Sequence, residues 1–352
     1  MRWKKRASSN LIPTYMMNKE SEEISKILRI LEEAQTVCIV GHVSPDGDCI
    51  GSQLSLGLCL KRLGKTVFCW NEDEIPDKLA FLDEENMMRK PKNGCAFDVV
   101  VALDCASFQR LGSVGEKITN RKYFINIDHH ASNTRYGDIN WVIGDSAATG
   151  ELIFQLIQTA GWEITPDIAD CLFIAISTDT GSFQYSSTTP ETFRMAANLV
   201  ESGADLADVC DEVYQSYPIA RVKLLRHVLN NFKLTEENKI AYYWLRSRDY
   251  SRCGAEREDA EGLIDHVRAI EPVIVAVQFE ELSADLIRVS FRSKNPYLDV
   301  GEVAKIFNGG GHKAASGATI EGTRLSVQRR VVKALRMALS DLKKRKKEEP
   351  SA

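Results

Sequence analysis

Residues 123–130 read YFINIDHH, an apolar run of strand length that ends on an aspartate and two histidines. A run without polar alternation fits a strand buried on both faces, as in a parallel sheet. Side chains adjacent on a strand point to opposite faces. His129 and His130 are therefore expected to diverge and to serve different purposes, which matters in a chain with only six histidines.

The same grammar recurs on either side of this stretch. Upstream, SEEISKILRILEEA (21–34) has helical apolar spacing and TVCIV (36–40) is a short buried strand. The polar loop GHVSPDGD (41–48) follows, then CIGSQLSLGLCLKRLGK (49–65) as a helix stopped near Gly64. Further strand-like runs are KTVFCW (65–70), FDVVVALD (97–104) and YGDINWVI (136–143). SAATGELIFQLIQTAG (146–161), TPDIADCLFIAISTDTG (165–181) and TTPETFRMAANLVESGAD (188–205) read as helices. The alternation predicts an α/β domain around a mainly parallel sheet, with ligands beyond the carboxyl ends of its strands.

Near YQSYPIARVKLLRHVLNNFKL (214–234) the pattern becomes a long helix, taken as the domain junction. The expected layout is a first domain over 18–215, a helical linker over 216–235 and a smaller α/β domain over 236–345. The second domain is expected to run from strand KIAYYWLR (239–246) through helix REDAEGLIDHVRAI (257–270) to strands EPVIVAVQFEEL (271–282) and DLIRVSFRSK (285–294). A helix at DVGEVAKIFN (299–308), the run GGGHKAASGATI (309–320) and a final helix complete it.

With 352 residues, 44% hydrophobic and 27% charged, the chain has room for two ordinary globular cores. A net charge of −4 argues against coating long nucleic acids, which relies on counterion release. It leaves room for a compact anionic substrate in a locally basic pocket. Nine cysteines without C-x-x-C spacing, most inside apolar runs, read as reduced core residues of a cytoplasmic protein. Residues 1–20 are basic but lack the apolar segment of a signal peptide, and read as a frayed extension. No stretch reaches the ~18 apolar residues of a membrane span. The tail KKRKKEEPSA (343–352) reads as a solvated helix end.

Four polar clusters carry the chemistry: His42-x3-Asp46-x-Asp48, Asp104, Asp128-His129-His130 and Asp179. Any one alone is an ordinary cap or turn, but all four fall at the ends of elements bordering one crevice. Together they offer carboxylate and imidazole ligands for two divalent cations, a set suited to Mn²⁺ and less selectively to Fe²⁺, Co²⁺ or Zn²⁺. A carboxylate from a neighbouring strand end, such as Asp104, could bridge ions about 3.5–4 Å apart that activate water for an in-line displacement. In the second domain, three glycines ahead of a helix, with His312 and Lys313, could let main-chain N–H groups meet an anion. Arg292 and Lys294 lie on one face of a strand end and Ser293 on the other, and Arg292 suits a phosphate fork. His227 and His266 sit in helical patterns and read as ordinary helix residues.

In order, GHVSPDGDCIGSQLSL (41–56), VALDCAS (101–107), IDHHASN (127–133), ISTDTGSF (176–183) and FNGGGHKAASG (307–317) resemble the DHH phosphoesterase family with its DHH-associated C-terminal domain. Length and layout are most similar to the oligoribonuclease (nanoRNase) and pAp phosphatase branch. The resemblance implies a cytoplasmic hydrolase with two Mn²⁺ ions (Co²⁺, Mg²⁺ or another divalent cation in their place) and an active site in the cleft between two α/β domains. It implies His42 and Asp46 on one ion, Asp48, His129 and Asp179 on the other, and Asp104 as the catalytic bridge. Asp128 would orient its neighbours and His130 would face the scissile phosphate. Arg292, Ser293, Gly310, Gly311 and His312 would bind the rest of the nucleotide. The implied substrates are short oligoribonucleotides, linear dinucleotides such as pApA or pGpG, and 3′-phosphoadenosine 5′-phosphate (pAp). No membrane and no protein partner is implied, and a homodimer is compatible with the reading.

Where the family carries four glycines, this chain has Asn308 followed by three; asparagine tolerates left-handed backbone, so the turn is expected to survive. Three rival readings remain. A family II inorganic pyrophosphatase shares the metal motifs, but the glycine-rich run suits a nucleotide. A ligand-binding regulator on an inactive scaffold would have lost metal ligands, and all six positions are filled. An exonuclease on long single strands would want a further basic, aromatic-rich domain.

Overall fold

A computed structural model describes residues 14–348, which divide into two compact units, one ending at Gln215 and one beginning at Ser216. Residues 1–13 and 349–352, where most of the expected N-terminal extension and part of the tail fall, lie outside the described residues. The first helix, Thr14–Glu33, begins seven residues ahead of the predicted 21–34, and the final helix, Arg324–Glu348, runs into the tail.

The first unit is a six-stranded parallel sheet with β1 (Thr36–Val40), β2 (Thr66–Trp70), β3 (Met88–Arg89), β4 (Phe97–Leu103), β5 (Arg121–Asp128) and β6 (Ile139–Val142). The spatial order is β3-β2-β1-β4-β5-β6. Only β3, two residues long, escaped the sequence reading. The strands are apolar because both faces are covered. Val37, Ile39, Val99, Val101, Ile125 and Ile127 enter one core, while Cys38, Val40, Val100, Ala102 and Phe124 enter the other. This is the two-residue period of a strand feeding two layers. On the first face the helices Gly47–Arg62, Thr149–Ala160 and Pro166–Asp179 pack together. All nine cysteines are free thiols, and seven are buried.

In this strand order the winding reverses between β1 and β4, which are neighbours but not consecutive in sequence. Chains leaving the carboxyl ends of β1 and β4 therefore part to opposite sides and open a crevice.

The second unit holds a mixed sheet in the order β11-β12-β10-β9-β8-β7. Its strands are β7 (Lys233–Thr235), β8 (Ile240–Leu245), β9 (Val275–Ser283), β10 (Leu286–Ser293), β11 (Gly310–Gly311) and β12 (Ala315–Glu321). Only the β8–β9 pair is parallel. The predicted junction helix is Ile219–Asn231, and it buries Leu224 and Val228 among Tyr243, Leu263 and Val267 of this unit's own core. The predicted helix over 257–270 is a short 3₁₀ turn, Glu258–Ala260, and a helix, Leu263–Arg268, separated near Gly262. The helix Ser247–Cys253 was missed: its start is fixed by an Arg246–Asp249 pair, with Arg246 Nε donating to Asp249 Oδ2 at 2.7 Å. Among the described residues no helix is long and apolar enough to cross a membrane.

Candidate metal centre

The centre is assembled at the carboxyl edge of the parallel sheet. His42 leaves β1, Asp104 follows β4 directly, Asp128 is the last residue of β5, and Asp179 ends the Pro166–Asp179 helix. Asp46 caps the Gly47–Arg62 helix, its Oδ1 accepting from the Cys49 N–H at 3.1 Å. Asp48, expected in a loop, lies in the first turn of that helix and is fully buried.

Donor atoms fall into closely set groups, two of which share Asp104. His42, Asp46 and Asp104 form one; Asp48, His129 and Asp179 form a second; Asp104, Asp128 and His130 form a third. Asp104 joins them with separate oxygens. Its Oδ2 lies 3.3 Å from His42 Nε2, and its Oδ1 lies 3.5 Å from His129 Nε2 and 3.5 Å from His130 Nδ1. Asp104 has φ of 52°, unusual for a residue with a Cβ and the kind of strained backbone found at functional sites.

The histidines are oriented by their other ring nitrogen. His42 Nδ1 lies 2.8 Å from the Val43 carbonyl and His129 Nδ1 lies 3.1 Å from the Ser146 carbonyl. Each bond assigns the proton to Nδ1 and turns the Nε2 lone pair towards the carboxylates, as in a metal-ligating imidazole. His129 Nε2 faces Asp179 at 3.2 Å and Asp48 at 3.7 Å. His130 Nδ1 meets Asp128 Oδ1 at 2.8 Å.

The expectation that the two histidines diverge on a strand needs correcting. β5 stops at Asp128, and the rings lie against each other with centroids 4.9 Å apart at 66°. The cause is Asp128, whose Oδ1 also accepts the His129 N–H at 2.8 Å and folds the chain around its carboxylate. Asn133 Nδ2 donates to the other oxygen, Oδ2, at 2.5 Å.

Several supporting groups carried no recognisable signal in the sequence. Thr149 N–H donates to Asp48 Oδ2 at 2.6 Å, Gly150 N–H to Asp48 Oδ1 at 2.8 Å, and Ser52 Oγ to Asp48 Oδ1 at 3.1 Å. Thr149 Oγ1 donates to Asp104 Oδ1 at 3.1 Å. The Thr149–Ala160 helix thus points its N-terminus at the centre. A helix start at 146–150 was legible; which carboxylate it would serve was not.

Electrostatically the centre holds protons that a cation would displace. Burial, and then the charge of Asp104, push Asp48 well up. Burial first, with Asp104 and Asp46, raises Asp179 to about 7. Burial alone would lower His129, but Asp179, Asp104 and Asp48 outweigh it and raise it to about 9. His42 and His130 are raised in the same way against burial, through Asp104 and Asp128 respectively. Asp104 moves oppositely: burial is overcome by the His42 hydrogen bond and the surrounding histidine charges, which hold it well below the usual carboxylate range. Closely set carboxylates and imidazoles, the latter with their lone pairs turned inward, are a donor set that fits divalent cations.

The residues expected to bind substrate lie in the second unit. Arg292 and Ser293 end β10, with Arg292 half-buried and Ser293 buried. Ser293 Oγ donates to the Asn295 carbonyl at 3.1 Å. The glycine run does not precede a helix, as expected; it makes a hairpin. Gly310 and Gly311 pair with Gly317 and Ser316 of β12, and His312 N–H donates to the Ala315 carbonyl at 2.7 Å. The apolar alternation of ATI beyond Gly317 fits β12 into the sheet and settles the matter. Asn308 takes φ of 58°, so the turn survives with asparagine in the left-handed region.

A doubly wound parallel sheet with carboxylates and imidazoles gathered over its reversal point defines an α/β protein with a candidate divalent-cation site in the crevice where such sheets bind ligands. The sequence profile of the DHH family, N-terminal domain, matches residues 36–176, and that of the DHHA1 domain matches residues 237–344. The chain is 34% identical over 323 residues to the bifunctional oligoribonuclease and PAP phosphatase NrnA of Thermus thermophilus, covering 90% of this chain and 94% of that one. It is 28% identical to the Bacillus subtilis protein of the same name, over 84% and 93%. An exopolyphosphatase-related protein from Bacteroides fragilis superposes with a TM-score of 0.82 at 28% identity, over 93% and 98% of the two chains. The chain belongs to the DHH phosphoesterase family, and is a hydrolase of phosphate-ester bonds.

Proposed function

We propose that the chain is a cytoplasmic Mn²⁺-dependent phosphoesterase that hydrolyses short oligoribonucleotides, linear dinucleotides such as pApA and pGpG, and pAp. The observation that carries the reading is Asp104, whose two oxygens face His42 on one side and His129 on the other. The match to NrnA-named relatives along nearly their whole length supports the substrate class.

His42, Asp46 and Asp104 would hold one ion, and Asp48, His129, Asp179 and Asp104 the second. Two divalent ions there would supply a water of lowered pKa and neutralise phosphoryl charge. The chain's own groups do the rest. Thr149 and Gly150 N–H groups fix the Asp48 carboxylate, so the ligand is preorganised before a cation arrives. Asp128 holds His130 by Nδ1, directing the ring to stabilise charge on the scissile phosphate or its leaving oxygen. Arg292, Ser293, Gly310, Gly311 and His312 bind the remainder of the nucleotide through a guanidinium fork and a hairpin backbone.

A substrate panel with Mn²⁺ tests this: pApA, pAp, pyrophosphate and an RNA of about 24 residues, each with the parent and Asp104→Ala. The dinucleotide and pAp should turn over at least about tenfold faster than the long RNA and pyrophosphate, and Asp104→Ala should lose about 10³-fold. Equal rates on the long RNA would sink the short-substrate claim, and preference for pyrophosphate would move the chain to another activity.

A further inference from the structure

Glu151 is a buried carboxylate of the first unit that the centre's ligand set does not use. It stands in the first turn of the Thr149–Ala160 helix, and among the described residues no lysine, arginine or histidine pairs with it. Burying a carboxylate is costly unless hydrogen bonds compensate it, and donors meet both of its oxygens. Oε1 accepts from Thr192 Oγ1 at 2.6 Å. Oε2 accepts from Ser146 Oγ at 2.7 Å and from the Ala147 N–H at 2.9 Å.

We propose that Glu151 is a positioning residue for the second cation site: it fixes the peptide group between Ser146 and Ala147, and the carbonyl of that group sets the His129 imidazole. This rests on the two-cation part of the functional reading and adds a residue that reading does not contain.

The Ala147 N–H and the Ser146 carbonyl belong to one trans peptide group, whose N–H and C=O point in opposite directions. Holding the N–H on Glu151 therefore directs the carbonyl to the other side, where it lies 3.1 Å from His129 Nδ1. That contact keeps the His129 proton on Nδ1 and leaves Nε2 to face Asp179 at 3.2 Å and Asp48 at 3.7 Å. The Ser146 hydroxyl gives Glu151 a second grip beside the same peptide group. On the far side, Thr192 belongs to the Pro190–Glu201 helix, where a capping box with Thr189 holds it in place. Glu151 is thus anchored on one helix, tied to a second and aimed at the loop that carries the carbonyl.

An ordinary helix cap has a different geometry. A glutamate at the third helical position reaches back to the N–H of the capping residue, here Ala148. Glu151 reaches one residue further, to the peptide group that carries the His129 contact. Groups that orient a ligating histidine in this way change metal affinity by about 10- to 100-fold when they are lost.

Two-site calorimetry of Mn²⁺ binding to the whole chain tests the assignment, with His129→Ala identifying which ion belongs to the Asp48–His129–Asp179 group. Glu151→Leu keeps the bulk and removes the acceptors. It should weaken that ion at least about tenfold and leave the His42–Asp46 ion within about twofold. Glu151→Gln should recover most of the loss, because its amide oxygen still accepts from Ser146 and Ala147 while its NH₂ group donates to Thr192 Oγ1. Asp205→Ala removes the cap of the Leu206–Tyr214 helix; it should lower Tm, as Glu151→Leu does, yet leave both Mn²⁺ affinities at parental values. Should Glu151→Leu fail to fold, Ser146→Ala carries the test, with about threefold weakening of the same ion. Parental affinity in the variant that carries the test, equal weakening of both ions, a loss matched by Asp205→Ala, no recovery in Glu151→Gln, or a parent that binds no Mn²⁺ would each overturn the assignment. A parent that binds two ions in the expected pattern but hydrolyses none of the esters above would instead remove the functional reading alone.

Discussion

The metal centre and the glycine hairpin teach opposite lessons about how sequence becomes a site. The centre draws residues from positions 42 to 179, yet His42, Asp104, Asp128 and Asp179 fall at or beside the ends of elements, as the sequence pattern predicts, and Asp48 alone moves from a loop into a helix. The hairpin is a single stretch of eleven residues, yet its surroundings were misread, because a strand and not a helix follows it. Parallel strands share one polarity, so all their carboxyl ends must meet at one edge and long-range convergence comes without further instruction. A glycine run carries no such constraint. Its geometry depends on which backbone it pairs with, and composition is silent on that.

The contrast can be broken in three ways, largest effect first. His130→Ala should lower turnover by about 10²–10³-fold while leaving Mn²⁺ binding largely intact, since its Nδ1 is engaged by the Asp128 carboxylate at 2.8 Å. Steady-state kinetics beside Mn²⁺ titration checks it, and a parallel loss of metal would return His130 to the ligand set.

The second concerns protons. His129, raised to about 9, and Asp179, raised to about 7, bind protons in the metal-free fold that the unfolded chain would release at lower pH. Stability of the metal-free protein should therefore fall as pH rises from about 7 to about 9. Mn²⁺ affinity should rise over the same window, because ligands must deprotonate to bind. Thermal melts with and without Mn²⁺ across that range read both signs, and a metal-free Tm that climbs with pH contradicts the coupling.

The smallest effect separates the glycines. A Cβ on Gly309 would sit 2.2 Å from the Gly317 carbonyl, whereas one on Gly310 would meet nothing within 4 Å. Gly309→Ala should cost about 1–3 kcal/mol of stability by forcing the hairpin apart. Gly310→Ala should leave Tm unchanged and raise the substrate KM, because the fold does not need glycine there. A stable Gly310→Ala protein with parental KM would leave Gly310 without the assigned role.

Most of the first unit was legible because its strands are unbroken apolar runs that could only be buried on both faces, as Val99 to Leu103 are. Five of the six candidate ligand positions were legible for the same reason, because they lie at or beside element ends, while Asp48 lies in a helix where a loop was expected. Two kinds of information were not. Hydrogen bonds from Thr149 and Gly150 to Asp48 span about a hundred residues and use main-chain atoms, which every residue possesses. The bend that brings the two histidine rings together depends on one carboxylate capping its own loop.

The central claim is that Asp104 joins two cation sites. Counting Mn²⁺ bound per chain by calorimetry, in the parent and in Asp104→Ala, tests it most directly. Two ions per parent chain, with both affinities weakened by the single substitution, is the predicted result. One ion per parent chain, or two ions of which only one responds to loss of Asp104, would contradict it.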